Sequence, residues 1–355
     1  MGAERGRGAT QNQESRRFGV PERESDGDWL DAVEDIDGPI ARTRTQVTVE
    51  HPRTIIARNQ SPDIAFDQSI NAYRGCEHGC IYCFARPSHA YHDLSPGLDF
   101  ETKLFAKPDA AALLRKELGK RGYRVSPIAM GSNTDPYQPI EKDWRITRSL
   151  LEVMVETRHP TFITTKSDRI LHDIDLLTDL AKDRLVAVMM SVTTLDPSVA
   201  RTLEPRAPHP ERRIAAISRL SAAGIPVSAN MSPIIPGIND HEIEQVVGRV
   251  AAAGAREVNY ILVRLPHEVA PLFRAWLEEH YPDRAGKVMA IIRDMRGGRD
   301  NDPDFGSRMK GQGVWADLIR TRFLRARRLA GFSGERLQLR TDLFRPTDGA
   351  QMRLL

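Results

Sequence analysis

The sequence predicts an α/β fold: a partial (β/α)6 barrel of the TIM type, with a disordered N-terminal segment before it and a basic helical C-terminal extension after it. Three observations predict this. Six short apolar runs recur between Ser69 and Val263 and alternate with helical patterns; parallel strands need such crossovers, so the alternation builds a parallel sheet. The first 40 or so residues are rich in Gly, Arg, Glu, Asp, Gln and Ser and poor in apolar residues, so they bury too little surface to offset their ordering entropy. The last stretch is rich in arginine.

The strand candidates are Ser69–Tyr73, Pro127–Met130, Thr161–Thr164, Leu185–Ser191, Val227–Met231 and Val258–Val263. Between them lie helix candidates Asp109–Arg121, Ile146–Thr157, Ile170–Lys182, Glu211–Ala223 and Asp240–Ala253. Asp109 and Asp240 suit N-caps; Gly224 and Gly254 suit left-handed C-caps. Six strands of similar length fit a barrel or part of one, with a doubly wound open sheet as the alternative. Either fold collects chemistry at the C-terminal ends of its strands. The domain plan is therefore a largely disordered segment over 1–50, in which Trp29, Leu30 and Val33 form a local docking cluster, a core barrel over 55–290 and a basic extension over 291–355.

The net charge is +3, but Arg293 to Arg345 holds 13 Lys/Arg against 7 Asp/Glu, a net of +6 that leaves −3 for the rest. Such a tail suits a polyanionic partner such as a nucleic acid or a solvated helix face. No apolar run of membrane-spanning length exists, and no apolar stretch follows the charged N-terminus. This reads as a cytoplasmic protein without membrane contact.

The 3 cysteines all fall between Cys76 and Cys83. An odd number packed this closely argues for metal chemistry rather than disulfides. The spacing is C-x3-C-x2-C, in Arg74-Gly75-Cys76-Glu77-His78-Gly79-Cys80-Ile81-Tyr82-Cys83-Phe84. Three thiolates can hold three irons of a cubane cluster and leave the fourth bare, while Gly75 and Gly79 permit a tight wrap. The competing reading is a structural zinc site whose fourth ligand would be His78, His89 or His92.

This loop resembles the cluster motif of the radical S-adenosylmethionine (radical SAM) superfamily. Gly131-Ser132-Asn133-Thr134-Asp135-Pro136-Tyr137-Gln138-Pro139-Ile140-Glu141, Thr165-Lys166-Ser167 and Glu204-Pro205-Arg206-Ala207-Pro208 are similar to its spore photoproduct lyase-like branch. The resemblance covers roughly Ile55 to Arg345. It implies a lyase-like enzyme that reductively cleaves S-adenosylmethionine at a [4Fe-4S] cluster to a 5′-deoxyadenosyl radical, with electrons from a donor such as a flavodoxin or ferredoxin. Cys76, Cys80 and Cys83 would ligate the cluster. Asn133, Thr134 and Asp135 would meet the amino group of the cofactor's methionine part. Lys166, Ser191 and Arg206 would take its carboxylate or ribose, and Ile234 and Ile235 would line the adenine.

The sequence departs from the photoproduct lyases in one respect. They use a cysteine as hydrogen donor, and this chain has no fourth cysteine, which also excludes an auxiliary cluster. Tyr73, Tyr82 and Tyr137 are the candidates for a hydrogen relay. The function read from a different class is a nucleic-acid-binding protein with a structural or redox-sensing cluster, in which Arg320, Arg322, Arg325, Arg327 and Arg328 share one helix.

Overall fold

Alternation of apolar side chains along each short strand gives a sheet with one face for helices and one for chemistry. The computed structural model describes residues 7–10, 44–334 and 337–347. Its main sheet runs β10-β9-β8-β7-β6-β3-β2, with strands β2 (Ala57–Arg58), β3 (Gln68–Ile70), β6 (Ile128–Met130), β7 (Thr161–Thr165), β8 (Val186–Ser191), β9 (Val227–Ile234) and β10 (Glu257–Leu262). Every pairing in it is parallel except that of β2 with β3. A second sheet joins β1 (Gln46–Val49), β5 (Lys103–Ala106) and β4 (Tyr73–Arg74). This is the expected partial barrel of six parallel strands.

The helices are α1 (Leu98–Thr102), α2 (Ala110–Leu118), α3 (Glu141–Trp144), α4 (Ile146–Thr157), α5 (Ile174–Lys182), α6 (Pro197–Leu203), α7 (Pro210–Ala222), α8 (Ile243–Ala252), α9 (Val269–His280), α10 (Pro282–Asp294) and α11 (Gly313–Leu329). Ile163, Val186, Val188, Met190, Val227 and Met231 point to the helix layer, where they share one core with Leu150, Met154, Leu180, Leu220 and Val246. The intervening residues Thr164, Met189 and Ser228 are in register with one another and only half-buried. They line the inner face.

The glycine caps form as expected. After α7, Gly224 has φ +77° and the Ile225 amide donates to the Leu220 carbonyl at 3.1 Å; after α8, Gly254 has φ +93° and Ala255 donates to Val250 at 3.0 Å. The aspartate caps do not. The Asp109 carboxylate binds His51, and Asp240 accepts the Gly237 amide at 2.8 Å, because each finds its partner outside its own helix. Of residues 1–50, the described 7–10 and 44–50 pack against the barrel; Trp29, Leu30 and Val33 lie outside the described residues.

Among the described residues the sheet edges are not joined by strand pairing. The loop between α10 and α11 bridges them: Leu262, on β10, donates to the Met309 carbonyl at 3.1 Å. From the same loop Gly306 and Arg308 bond Asp63, just after β2, at 2.8 and 2.5 Å, and Arg308 reaches Ser61 at 2.6 Å. Helix α11 buries Ala316, Ile319, Phe323 and Ala326, with Phe323 against Tyr260 at 4.5 Å. Three of its arginines are spent in ion pairs: Arg320 with Asp317, Arg322 with Glu244 in a two-point contact, and Arg327 with Glu257. Among the described residues no helix is long and apolar enough to cross a membrane.

At the opposite end of the barrel, His159 sits between Tyr123 and Phe344, hydrogen-bonded to the Tyr123 hydroxyl at 2.8 Å and facing the Pro160 carbonyl at 2.9 Å. Burial lowers its pKa from 6.5 to about 4. The unfolded chain then binds a proton that the fold refuses, so stability falls as pH drops through that window. Chemical unfolding at about pH 5 should find roughly 2 kcal/mol less stability from this group than at neutral pH. A His159→Gln variant should show a correspondingly flatter pH profile; an unchanged slope would exclude His159 as the source.

Candidate active site

The cysteine loop is shaped by two sheets meeting. Its strand candidate Ser69–Tyr73 divides: Gln68–Ile70 stays in the main sheet, while Tyr73–Arg74 crosses to pair with Phe105 and Ala106. Gly75 and Gly79 follow at φ +74° and +65°. A Cβ on Gly75 would lie 2.5 Å from the Leu104 side chain and 2.9 Å from the Phe100 carbonyl, so this turn admits only glycine. Cys76 and Cys80 are buried, Cys83 is half-buried, and all three are free. Burial pushes the Cys76 and Cys83 thiols up, and burial together with Glu204 pushes Cys80 up to about 12. Three thiolates here require a cationic metal group to replace those protons.

The nearby histidines serve other contacts. His78 pairs with Asp135 at 3.4 Å, His89 bonds the Lys103 carbonyl at 2.8 Å, and His92 packs on Phe105 at 4.8 Å. Each of these histidines keeps one buried ring nitrogen without a hydrogen-bond partner, but among the described residues no three Cys, His, Asp or Glu side chains come together as a single metal ion needs. Three sulfurs with no fourth cysteine therefore suit an iron–sulfur cluster with one open iron better than closed zinc.

The loop is clamped from within by Arg86, which is fully buried. Its guanidinium donates to the carbonyls of Cys80, Gly79, Pro96 and Gly97 at 2.9–3.0 Å and pairs with Glu101 at 2.6 Å. The N-terminal peptide docks on the same carboxylate: the amides of Arg7, Gly8 and Ala9 donate to Glu101 at 2.5, 3.0 and 2.8 Å. Ala9 is packed beside Cys80, Ile81 and Tyr82. A Cβ on Gly8 would sit 1.8 Å from the Gly79 carbonyl oxygen. Gly8→Val should therefore expel this peptide and cost about 2 kcal/mol or more in urea unfolding, given three lost bonds to a charged acceptor. Wild-type stability would mean the peptide contributes nothing to the loop.

The strand ends bring most of the sequence-derived residues around this loop. Thr134 donates to the Gly75 carbonyl at 2.6 Å, and Gln138 bridges Thr134 to the Glu77 amide. Asn133 hangs from Asn71 at 2.9 Å. The Asp135 carboxylate accepts from Thr165, the Lys166 amide and the Tyr137 amide at 2.7, 2.7 and 2.9 Å. Burial raises its pKa, but His78 and these donors together hold it at about 2. Arg206 bonds Glu77 at 2.8 Å. Ser191 ends β8 in register with Asn230, whose buried amide oxygen has no hydrogen-bond partner. Ile234 and Ile235 are fully enclosed by apolar neighbours.

Lys166 belongs to a buried polar network. Its ammonium lies 3.7 Å from Glu204 and 5.7 Å from the Tyr82 ring centre. Glu204 also takes the Tyr82 hydroxyl, Thr193 at 2.7 Å and Arg213 at 2.5 Å. Burial raises the Glu204 pKa, yet Arg213 and Lys166 draw it down to about 2. Of the other tyrosines, Tyr73 donates to Glu141 and Tyr137 to Asp173.

Residues 70–250 match the model of the Radical SAM superfamily. The chain belongs to that superfamily. An uncharacterized protein of Mycobacterium tuberculosis is 34% identical over 242 residues, 67% of this chain and 71% of the relative. One from Methanocaldococcus jannaschii is 29% identical over 215 residues, 60% and 76%. A radical SAM Nα-GlyT isomerase of Pseudomonas phage M6 is 24% identical over 225 residues, 63% and 45%. Among solved structures, spore photoproduct lyase complexed with dinucleoside spore photoproduct aligns at 18% identity and TM-score 0.48 over 66% of each chain.

Membership makes this chain an enzyme and implies S-adenosylmethionine, a [4Fe-4S] cluster and a source of electrons. Within this radical SAM chain the sequence reading missed Arg86, Glu101, Glu204, Arg213 and Asn230. Glu204 stands inside the quoted Glu-Pro-Arg-Ala-Pro segment. The signal was there, but the arginine beside it drew the assignment.

Proposed function

We propose that Cys76, Cys80 and Cys83 hold the [4Fe-4S] cluster and that the strand-end ring binds S-adenosylmethionine over its open iron. The observation that carries this is three free thiols in one glycine-shaped loop, buried or nearly so and facing a buried Lys166–Glu204–Arg213 network. When bound, the cluster and cofactor supply one-electron cleavage of the sulfonium to a 5′-deoxyadenosyl radical, which abstracts hydrogen from the substrate.

The protein's task is binding, orientation and exclusion of water. Asn133, Thr134 and Asp135 frame the side of the loop assigned to the methionine amino group; in the free protein Asp135 spends its carboxylate on bracing that side. Lys166, half-buried and poised by Glu204, supplies the cation for the cofactor carboxylate, and Arg206 is the second cation at that side. Ser191, with the unpartnered oxygen of Asn230 beside it, suits ribose hydroxyls. At the adenine end Ile234 and Ile235 offer backbone groups, their side chains being fully enclosed. The reductant is a one-electron protein such as a flavodoxin or ferredoxin.

Anaerobic reconstitution should give an oxygen-sensitive cluster of about four irons per chain. Dithionite should then release 5′-deoxyadenosine from S-adenosylmethionine without any substrate. Stable zinc without iron uptake would defeat the cluster assignment. An intact cluster with no cleavage would favour the nucleic-acid-binding reading. On substrate, the +6 excess between Arg293 and Arg345 supports a nucleic acid or nucleotide, and within that stretch Arg320, Arg322 and Arg327 carry ion pairs.

A further inference from the structure

The rim residues come in chain order from successive strand ends: Asp135 after β6, Lys166 after β7, Ser191 on β8 and Ile234 on β9. The sixth parallel strand contributes Arg264, two residues past the end of β10. Three arginines meet here, and two are well held, although the buried Nε of Arg296, like that of Arg264, has no hydrogen-bond partner. Arg308 binds Asp63 and Ser61. Arg296 donates to the carbonyls of Leu262, Val263, Ser307 and Arg308 at 2.7–3.4 Å. Arg264 has no such set. Its one hydrogen bond among the described residues is to the Met309 sulfur at 3.5 Å, and its buried Nε has no partner.

The charge around it is uncompensated as well. Three guanidinium groups face two carboxylates. Asp63 is taken by Arg308, while Asp302 accepts the Ser307 hydroxyl at 2.6 Å and the Asp304 amide at 2.9 Å. Burial and then Arg308 lower the Arg264 pKa; burial and then Arg264 lower that of Arg296 to about 10. Both remain cations at neutral pH. Asp63 and Asp302 lie within electrostatic reach of Arg264, yet neither pairs with it directly. A half-buried cation without a direct ion pair is costly, and this one stands where an α/β barrel places its chemistry.

We propose that Arg264 is a substrate-anchoring residue: its fork, held among the described residues only by the Met309 sulfur, is a binding site for a two-oxygen anion, a phosphate or a carboxylate, carried by the substrate. Guanidinium matches both groups in two-point geometry. Arg308 and the strap that carries it form the neighbouring wall and are not themselves free to bind. The identity of the molecule bearing the anion rests on the radical SAM reading above; the oxyanion site rests on Arg264 alone.

The test is calorimetric titration of the full chain with inorganic phosphate, thymidine 5′-monophosphate and N-acetylglycine, at low and high salt. Binding of a phosphate probe or of N-acetylglycine supports the site and distinguishes its two sources. Arg264→Gln should then weaken binding roughly ten-fold to a hundred-fold. Arg264→Lys should recover part of it, since a point charge lacks the fork. Exposed Lys310→Ala should bind as wild type. Labelling of wild-type Arg264 by phenylglyoxal, read by peptide mass, should be blocked by the bound anion, which requires no variant to fold. No binding of any probe by the wild type, or unchanged binding by Arg264→Gln, overturns the proposal. Substrate-free cofactor cleavage should be the same in Lys310→Ala and wild type. Failure of that reaction in the wild type would strike the cofactor assignment and leave the anion site standing.

Discussion

Cys80→Ala should take up no stable [4Fe-4S] cluster and should cleave no S-adenosylmethionine above background, yet should remain folded. Cys80 is 7% exposed and shares its apolar surroundings with Ile81, Tyr82 and Leu203. Removing one sulfur from such a place costs on the order of 1 kcal/mol of packing. The main core lies elsewhere, in Val186, Val188, Val227, Leu150 and their neighbours. The expected result is therefore a wild-type-like unfolding transition with iron and sulfide at background and no 5′-deoxyadenosine. Retained full cleavage would remove Cys80 from the ligand set.

Arg86→Met should be the most destabilising single change at the site, by roughly 3–5 kcal/mol. The reason is the inventory of what it leaves behind. Four backbone carbonyls lose their donor, and Glu101 remains as a buried carboxylate facing only the N-terminal peptide. Burial without a partner is what costs, so Arg86→Met with Glu101→Gln should be less damaged than the sum of the two single changes. Urea midpoints of the four proteins measure this coupling. Additive midpoints would show that the pair is not a unit.

The parallel strands were legible because each apolar run is local and bounded by its own helix, and Ile146–Thr157 was read to the residue. The split of Ser69–Tyr73 was not, since its cause is β5, which lies about thirty residues further on and draws Tyr73 and Arg74 away. The same distinction runs through the site. Three cysteines within eight residues announce themselves. The pairs Arg86–Glu101 and Glu204–Arg213 look like ordinary surface charge until the fold buries them. The basic extension was legible as a charge excess but its pairing was not: Glu244 and Glu257, which pair with Arg322 and Arg327, sit some seventy to eighty residues upstream.

The bridge from Asp63 to Arg308 works as a clasp rather than a seam. A strand ladder yields one rung at a time and fixes the girth of a barrel through its register. Three hydrogen bonds at one point release together, and no strand need slide for the gap beside β10 to widen. Lengthening the α10–α11 loop would enlarge the enclosure without shifting Ser191 against Asn230 or any other paired position. The girth of this barrel and the register of its strands are therefore independent variables. A chain of this design can be refitted for a bulkier cargo by changing one surface loop.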